Sequence, residues 1–224
     1  MKYTSSNKRE SLPILYEDND IIVIDKPCGM LSIATDKESA RTAYRLVNDY
    51  VRGKRKQSRI FIVHRLDRET SGVMLFAKNE RAKHTLQQNW ADMAIAREYV
   101  AVVQGRVTAD GTVTSWLKQN GAMVMYSSNR DGDGKRAVTH YRVLSAKPCY
   151  STLALTLETG RKNQIRVHMK DIGHPVVGDK KYGNGGKNPL GRLGLHALSL
   201  TVRHPTNGDT LRFEAAIPRV FMAI

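Results

Sequence analysis

The sequence predicts an α+β domain with a mixed, mainly antiparallel sheet, and two observations lead to this fold class. Period-two and β-branched runs typical of strands recur along the chain, mostly joined by turns, whereas only three segments have a helical pattern. The strands do not alternate regularly with helices, which argues against a Rossmann-type arrangement. We expect one domain over residues 12–224 after a flexible head of residues 1–11.

The predicted elements follow in chain order. A buried β-branched strand at 21–24 stops at Lys26-Pro27, and a helix is expected over 39–50. Asn79 is the expected N-cap of a second helix that runs to about Trp90, and a third helix follows Gly160. The other strands are expected at 72–78, 97–104, 113–118, 137–144, 152–158, 196–202 and 210–214.

Two loops imitate ligand-binding motifs. Asn129, Asp131 and Asp133 match the first positions of a calcium loop, but His140 occupies the position of its bidentate Glu, so we predict a hairpin turn. The glycine-rich segment 180–195 lacks the spacing of a phosphate-binding loop and is predicted to be a mobile loop.

The charge balance indicates a polyanionic partner. Lys and Arg number 36 against 21 Asp and Glu, which gives a formal net charge of +15 and a pI near 10.0. Cys28 and Cys149 are too few for a disulfide framework, and Cys28 is interpreted as a small packed residue. Without a signal-peptide pattern or a long apolar run, we expect a soluble, cytoplasmic protein with no membrane partner.

One carboxylate has the surroundings of a functional residue. Asp67 lies in HRLDRETSG, between a β-branched run and the strand at 72–78, where a sheet can hold a side chain rigidly. Taken alone, Asp67 is better explained as the cap of a turn or as the partner of Arg65 or Arg68. The basic run 51–59, with Arg55 and Lys56, precedes this motif and is expected either to hold phosphates beside Asp67 or to be a solvated charge run.

These motifs resemble a known family. HRLD at 64–67, followed by Thr70-Ser71-Gly72 and Ala77-Lys78, resembles the signature of RluA-type pseudouridine synthases. Further blocks match in the same order at 26–31, 97–101, 160–169, 173–179 and 195–197, so that the resemblance spans about residues 12–217. Asn163 stands where many members carry histidine.

The resemblance implies a pseudouridine synthase catalytic fold that isomerises uridine in ribosomal RNA, tRNA or both. Asp67 would be the catalytic carboxylate, acting on C1′, on C6, or through a glycal route. Neither a metal nor an organic cofactor is implied. Because about a dozen residues precede Leu12, we expect a stand-alone, monomeric version without an S4-like domain that recognises an RNA stem-loop.

The same resemblance assigns roles around Asp67. Arg166 would keep the carboxylate charged, although it also fits a surface helix arginine. Tyr99 would face the uracil and take part in proton transfer, or is an ordinary strand tyrosine. Arg65 would stack on bases and hold the flipped nucleotide, and His64 would position the loop or a phosphate, or be a buried structural residue.

A further group would bind RNA phosphates at the start of the third helix, or simply be exposed there: Arg161, Lys162 and Gln164. Two other hypotheses stay open. One is a non-catalytic RNA-binding or ribosome-assembly protein that retains the cleft. The other is a metal-dependent nuclease with four candidate ligands: His64, Asp67, His168 and His174.

Overall fold

A computed structural model describes residues 12–35 and 41–224. Eleven strands of these residues form one sheet, with the main path β1-β2-β4-β10-β5-β9-β8-β6-β7, while β3 pairs with β4 and β11 with β10. The strands are β1 Ile14–Glu17, β2 Ile21–Lys26, β3 Phe61–Ile62, β4 Ser71–Ala77, β5 Ala96–Gln104, β6 Gly111–Gln119, β7 Met125–Ser128, β8 Lys135–Ala146, β9 Tyr150–Leu157, β10 Leu195–Arg203 and β11 Thr210–Glu214.

Short helices connect or flank this sheet. They are α1 Ala43–Lys54, α2 Glu80–Gln88, α3 Trp90–Met93, α4 Gln164–Asp171 and α5 Arg219–Met222. The predicted cap of α2 is confirmed, because the Asn79 side chain accepts a hydrogen bond of 2.9 Å from the Ala82 amide. The helix predicted over 39–50 instead begins at Ala43 after its cap, Thr42, and ends at Lys54. Residues 1–11, the predicted head, lie outside the described residues, as does the start of that predicted helix.

The predicted mixed, mainly antiparallel sheet is confirmed. Of the paired strands, β4 and β10 are parallel and the others antiparallel. The parallel contact joins Ser71 and Gly72 to His196 and Ala197. Gly72 has φ +111°, and a Cβ there would lie 2.1 Å from the Ala197 carbonyl oxygen, so this contact requires glycine. This strand contact fixes the start of β4, four residues after Asp67.

The predicted hairpin turn at 129–134 is wrong in its connectivity. The segment joins β7 to β8, but both strands pair with β6 and lie on opposite sides of it. The chain therefore crosses β6, and at Gly134 a Cβ would lie 2.8 Å from the Leu117 carbonyl oxygen.

Apolar clusters cover both faces of the sheet. One lies around Leu75 and Leu86 under α2, and another packs Ile22, Ile24 and Phe76 against α1. A third packs β5 and β9 against α4. The described part of the chain contains no helix that is long and apolar enough to cross a membrane.

Candidate active site

Asp67 occupies the loop between β3 and β4, and buried contacts fix its backbone on both sides. The Ser32 hydroxyl accepts from the Leu66 amide and donates to the Leu66 carbonyl at 3.2 and 2.6 Å. The Lys26 ammonium donates to the Arg68 carbonyl at 3.1 Å. The Asp67 side chain remains 33% exposed, so a rigid backbone presents an accessible carboxylate.

Lys26 is a structural residue that the sequence reasoning did not single out. Its buried ammonium also donates to the carbonyls of Pro27 and Met30, at 3.0 and 2.7 Å. Burial lowers its pKa to about 8. Lys26 thus ties the loop after β2 to the Asp67 loop. The Lys-Pro pair at the end of a β-branched run was the feature of the sequence that could have identified this residue.

Arg166 lies between two carboxylates. Its Nη1 donates to Asp67 Oδ2 at 3.1 Å, while Nε and Nη2 donate to the two oxygens of Asp179 at 2.7 and 2.8 Å. Burial disfavours the charge, but the bonds and charge of Asp179 outweigh it and raise the pKa of Arg166. The surface-arginine alternative does not fit, because the Arg166 side chain is only 12% exposed.

Asp179 ends the family-like block 173–179 but was not predicted as a site residue. Its side chain is fully buried, and Oδ1 also accepts from the amides of Lys181 and Tyr182 at 2.9 Å each. Burial raises the pKa of this carboxyl, but the Arg166 guanidinium and the two amides outweigh burial and lower it. Asp179 is therefore a fixed anion that orients Arg166.

Two neutral side chains complete this polar network. The Asn163 amide nitrogen lies 2.5 Å from Asp67 Oδ2, and its oxygen accepts from the Tyr182 hydroxyl at 3.1 Å. The Tyr182 ring also lies against the Arg166 guanidinium, 5.0 Å from its centroid. In the sequence, Asn163 departs from the family pattern, and Tyr182 was not predicted as a site residue.

Tyr99 on β5 lines the same cleft. Burial raises its pKa to about 12, an effect that nearby Arg97 opposes and Asp67 reinforces. Arg97 lines the cleft too and donates to the carbonyls of Leu157 and Glu158. At neutral pH the phenol of the free protein is therefore protonated.

His64 lines the cleft, and contacts within the protein hold its ring. Its Nε2 accepts from the Leu75 amide at 2.9 Å, and its ring stacks on Trp90 with centroids 4.8 Å apart. Burial, with a smaller effect from Arg97, lowers its pKa to about 4. The structural role of His64 is therefore present. Because Nε2 accepts, the neutral ring carries its proton on Nδ1, and a contact from this N–H to a phosphate stays a prediction.

Gln164 was wrongly expected to contact RNA. It is 2% exposed and begins α4. Its amide nitrogen donates to Val138 and Thr139, and its oxygen accepts from Thr159 and Arg161. Every polar group of this side chain is used internally, so none is left for a phosphate.

Three exposed basic residues do rim the cleft. Arg65, Arg161 and Lys162 line a volume of about 530 Å³ together with Asp67 and Tyr99. Arg161 and Lys162 precede α4 and do not belong to its first turn, because the helix starts at Gln164. Arg161 Nε donates to the Arg136 carbonyl at 3.0 Å.

The basic run 51–59 is not beside Asp67, contrary to expectation. It lies at the opposite end of β4, where Phe61 pairs with Ala77 and Lys54 contacts Glu17. Seven residues of β4 separate the two places, or about 20 Å of strand. Arg55 and Lys56 are exposed there.

The four ligands of the nuclease hypothesis do not converge. His168 is buried between the hydroxyls of Ser115 and Thr139, and His174 bonds the Gln104 carbonyl. Within residues 12–35 and 41–224, no group of three or more His, Cys, Asp or Glu could hold a metal ion.

Comparisons with known proteins agree with this fold and cleft. The model of the family described as RNA pseudouridylate synthase matches residues 20–171. YjbO of Bacillus subtilis (strain 168), named an uncharacterized RNA pseudouridine synthase, is 36% identical over 209 residues, 93% of this chain and 73% of that protein. Ribosomal large subunit pseudouridine synthase D of Yersinia pestis is 37% identical over 220 residues, 92% of this chain and 67% of its own length.

A solved structure extends the likeness to the fold. Human RNA Pseudouridylate Synthase Domain Containing 1 superposes with a TM-score of 0.73 at 26% identity, covering 96% of this chain and 86% of that one. The class is thus an RNA-modifying isomerase. The chain belongs to the RNA pseudouridylate synthase family and converts uridine in RNA to pseudouridine. The predicted family and fold are confirmed, and the catalytic interpretation is favoured over a non-catalytic RNA-binding protein.

Proposed function

We propose that the substrate is ribosomal RNA of the large subunit and that Asp67 is the catalytic carboxylate. Relatives named ribosomal large subunit pseudouridine synthase D support the choice of RNA. One observation carries the choice of residue. Arg166 and Asn163 donate to Asp67 Oδ2, whereas no hydrogen bond from a described residue reaches Oδ1. The Asp67 side chain is partly exposed, and basic residues line the cleft that it faces.

The reaction exchanges one bond for another on the same uridine. The C1′–N1 bond breaks, C1′ joins C5, the C5 proton leaves to solvent and N1 takes up a proton. Asp67 acts at the reacting nucleotide as a nucleophile toward C1′ or C6, or as the base of a glycal route. Arg166 donates to Oδ2 of Asp67 and offsets the negative charge of this carboxylate.

Tyr99 supplies a flat surface for the uracil and a hydrogen-bond donor. Because its pKa is about 12, it holds its proton at neutral pH and can take the C5 proton only after losing its own. The phenol therefore acts first as a hydrogen-bond donor to the uracil. Of the proton-transfer role that the resemblance implies, only a step after loss of the phenol proton remains open to Tyr99.

Recognition of the RNA rests on the exposed cations. Arg65 lies next to the carboxylate loop, where a planar guanidinium can stack on a base and hold the nucleotide flipped from its stack. Arg161 and Lys162 bind phosphates near the reacting uridine. Arg55 and Lys56, at the far end of β4, bind phosphates of an RNA long enough to extend there.

A stem-loop is the proposed shape of the substrate, since loops display unstacked bases. The protein is proposed to act as a monomer in the cytoplasm. Sedimentation of the purified protein with and without RNA tests the monomer, and a dimer in either state would contradict it.

The decisive assay uses unmodified large-subunit ribosomal RNA labelled with tritium at uridine C5. We expect the wild-type protein to release tritium without cutting the strand, in the presence or absence of EDTA. Asp67→Asn should bind the RNA and release none, because the amide is neutral and a poor nucleophile.

Other outcomes point elsewhere. Release from tRNA alone would replace the proposed substrate while leaving the site intact. Full release by Asp67→Asn would overturn the catalytic assignment. Tight binding without release from any RNA would support the non-catalytic protein, and EDTA-sensitive cleavage would support a nuclease.

A further inference from the structure

Asn163 and Tyr182 form a chain of hydrogen bonds that ends on the candidate catalytic carboxylate. The backbone amide of Met125, on β7, donates to the Tyr182 hydroxyl at 3.2 Å. This hydroxyl donates to Asn163 Oδ1 at 3.1 Å, and the amide nitrogen of Asn163 contacts Asp67 Oδ2 at 2.5 Å. A main-chain group of the edge strand is thereby linked to Asp67.

Hydrogen-bonding capacity fixes the direction of this chain. A carboxylate only accepts, so the amide of Asn163 must present its NH₂ group to Asp67 and its oxygen to Tyr182. The Tyr182 hydroxyl already accepts from Met125, which leaves its own proton to donate to that oxygen. The amide therefore has one favourable orientation.

The backbone at Asn163 adds a second requirement. Asn163 has φ +56° and ψ +20°, a left-handed conformation, directly before α4. Asparagine adopts this region more readily than other residues with a Cβ. The conformation places the side chain beside Asp67 while Arg166, in the first turn of α4, reaches the same oxygen.

We propose that Asn163 is a positioning residue for the isomerisation, and that Tyr182 acts through it. Two donors on Oδ2, one charged and one neutral, hold the carboxylate plane and turn Oδ1 toward the uridine. This inference rests on the proposed role of Asp67 and adds the residue pair that sets its orientation. Displacement on the order of 1 Å at a reacting atom can cost about 100-fold in rate, so loss of one donor is expected to slow the chemical step.

The test separates the side chain from the backbone. Asn163→Gly keeps the left-handed conformation at no steric cost but deletes the amide. We expect its single-turnover rate of tritium release, at saturating protein, to fall about 10- to 100-fold. The dissociation constant for the RNA should stay at the wild-type value, because the amide faces Asp67 rather than the RNA.

Tyr182→Phe supplies the matched second variant, since it keeps the ring against Arg166 and removes only the hydroxyl. We expect a smaller loss of rate, and we expect the double variant to be no slower than Asn163→Gly. A hydroxyl that acts through Asn163 has nothing left to orient in that background, so the two effects are not additive. Any loss of stability from the freed Met125 amide is present in both backgrounds and cancels.

Three results would overturn the inference. These are a wild-type rate in Asn163→Gly, an equal loss of RNA affinity and rate in that variant, or additive effects in the double variant. If Tyr182→Phe does not fold, Asn163→Gly decides alone. Asp67→Asn, measured in the same assay, separates the two ideas: its full activity would overturn the proposed function and this inference with it, whereas its inactivity beside a fully active Asn163→Gly would overturn the positioning role only.

Discussion

The Asp179 carboxylate holds the Arg166 guanidinium through two parallel hydrogen bonds of 2.7 and 2.8 Å. This arrangement leaves Nη1 as the edge that reaches Asp67. An arginine that contacted only Asp67 could rotate together with that carboxylate. Here the two bonds to Asp179 fix the plane of the Arg166 guanidinium independently of Asp67. The orientation of the candidate catalytic carboxylate thus depends on a second carboxylate that is closed to solvent.

Removing the charge of Asp179 should be costly to both stability and rate. Asp179→Asn breaks a buried ion pair, for which a loss of about 3–5 kcal/mol in the free energy of unfolding is typical. We expect the single-turnover rate to fall and RNA affinity to persist. Glu214→Gln, which alters an exposed pair with Arg212, is the control and should cost less than about 1 kcal/mol.

The pH dependence of this effect has a defined sign. The folded-state pKa of Asp179 lies below its ordinary value of 3.8, so its stabilising contribution is present above about pH 4 and is lost as the pH falls through the folded value. Urea unfolding should show the wild type and Asp179→Asn converging in acid. A constant difference down to pH 2 would contradict this account.

Two exposed arginines should differ in their effect on a short RNA. Arg65 lines the cleft, whereas Arg55 lies at the far end of β4, about 20 Å of strand away. With a short stem-loop, Arg65→Gln should weaken binding and reduce the slope of log affinity against log salt by about 1, and Arg55→Gln should change neither. With a longer RNA, Arg55→Gln should also weaken binding. If Arg55→Gln and Arg65→Gln weakened binding of the short stem-loop equally, the surface around Arg55 would not be a separate contact region.

Three neutral histidines should make the fold sensitive to mild acid. Burial lowers the pKa of His64, His168 and His196 to about 4, with smaller effects from neighbouring arginines on His64 and His196. The unfolded chain binds these protons near pH 6.5, so stability is complete above that pH and falls as the pH drops toward 4. Near pH 5 the slope should approach about 4 kcal/mol per pH unit, from three protons.

Urea unfolding at several pH values measures this slope. His64→Gln keeps an acceptor for the Leu75 amide and should remove about one third of the dependence. A free energy of unfolding that stays level between pH 6.5 and 4 would show that these imidazoles are not held neutral.

Two glycines offer a matched test of the close contact between β4 and β10, which lies next to the Asp67 loop. Gly72→Ala places a methyl against the Ala197 carbonyl at a positive φ and should lower the free energy of unfolding by at least about 2 kcal/mol. Gly53→Ala, in α1 with open space around it, should leave stability unchanged or raise it by up to about 1 kcal/mol. Chemical denaturation of both variants checks the contrast. A wild-type free energy of unfolding in Gly72→Ala would contradict the requirement for glycine at the contact of β4 with β10.

The sequence predicted the long strands well because their patterns are local. The segment 210–214 matches β11 residue for residue, and β5 differs from its prediction by one residue. The strands β1, β3 and β7 were missed because segments of two to four residues are too short to show a clear period-two pattern, even though each pairs with a neighbouring strand of the chain. The crossing at Gly134 was mistaken for a hairpin turn because no local signal reveals that β6 lies between β7 and β8.

The sequence by itself determined the family, the reaction and the carboxylate to test, because HRLD and its companion blocks are chemical signatures written in order along the chain. Only the tertiary structure decided which side chains meet that carboxylate. Asp179, Asn163 and Tyr182 lie from 96 to 115 residues beyond Asp67. Their contacts arise where the loop before β4, the start of α4 and the glycine-rich loop converge. Proximity in the chain also misplaced Arg55 and Lys56, since Phe61, shortly after them, pairs with Ala77 at the end of β4 opposite to Asp67.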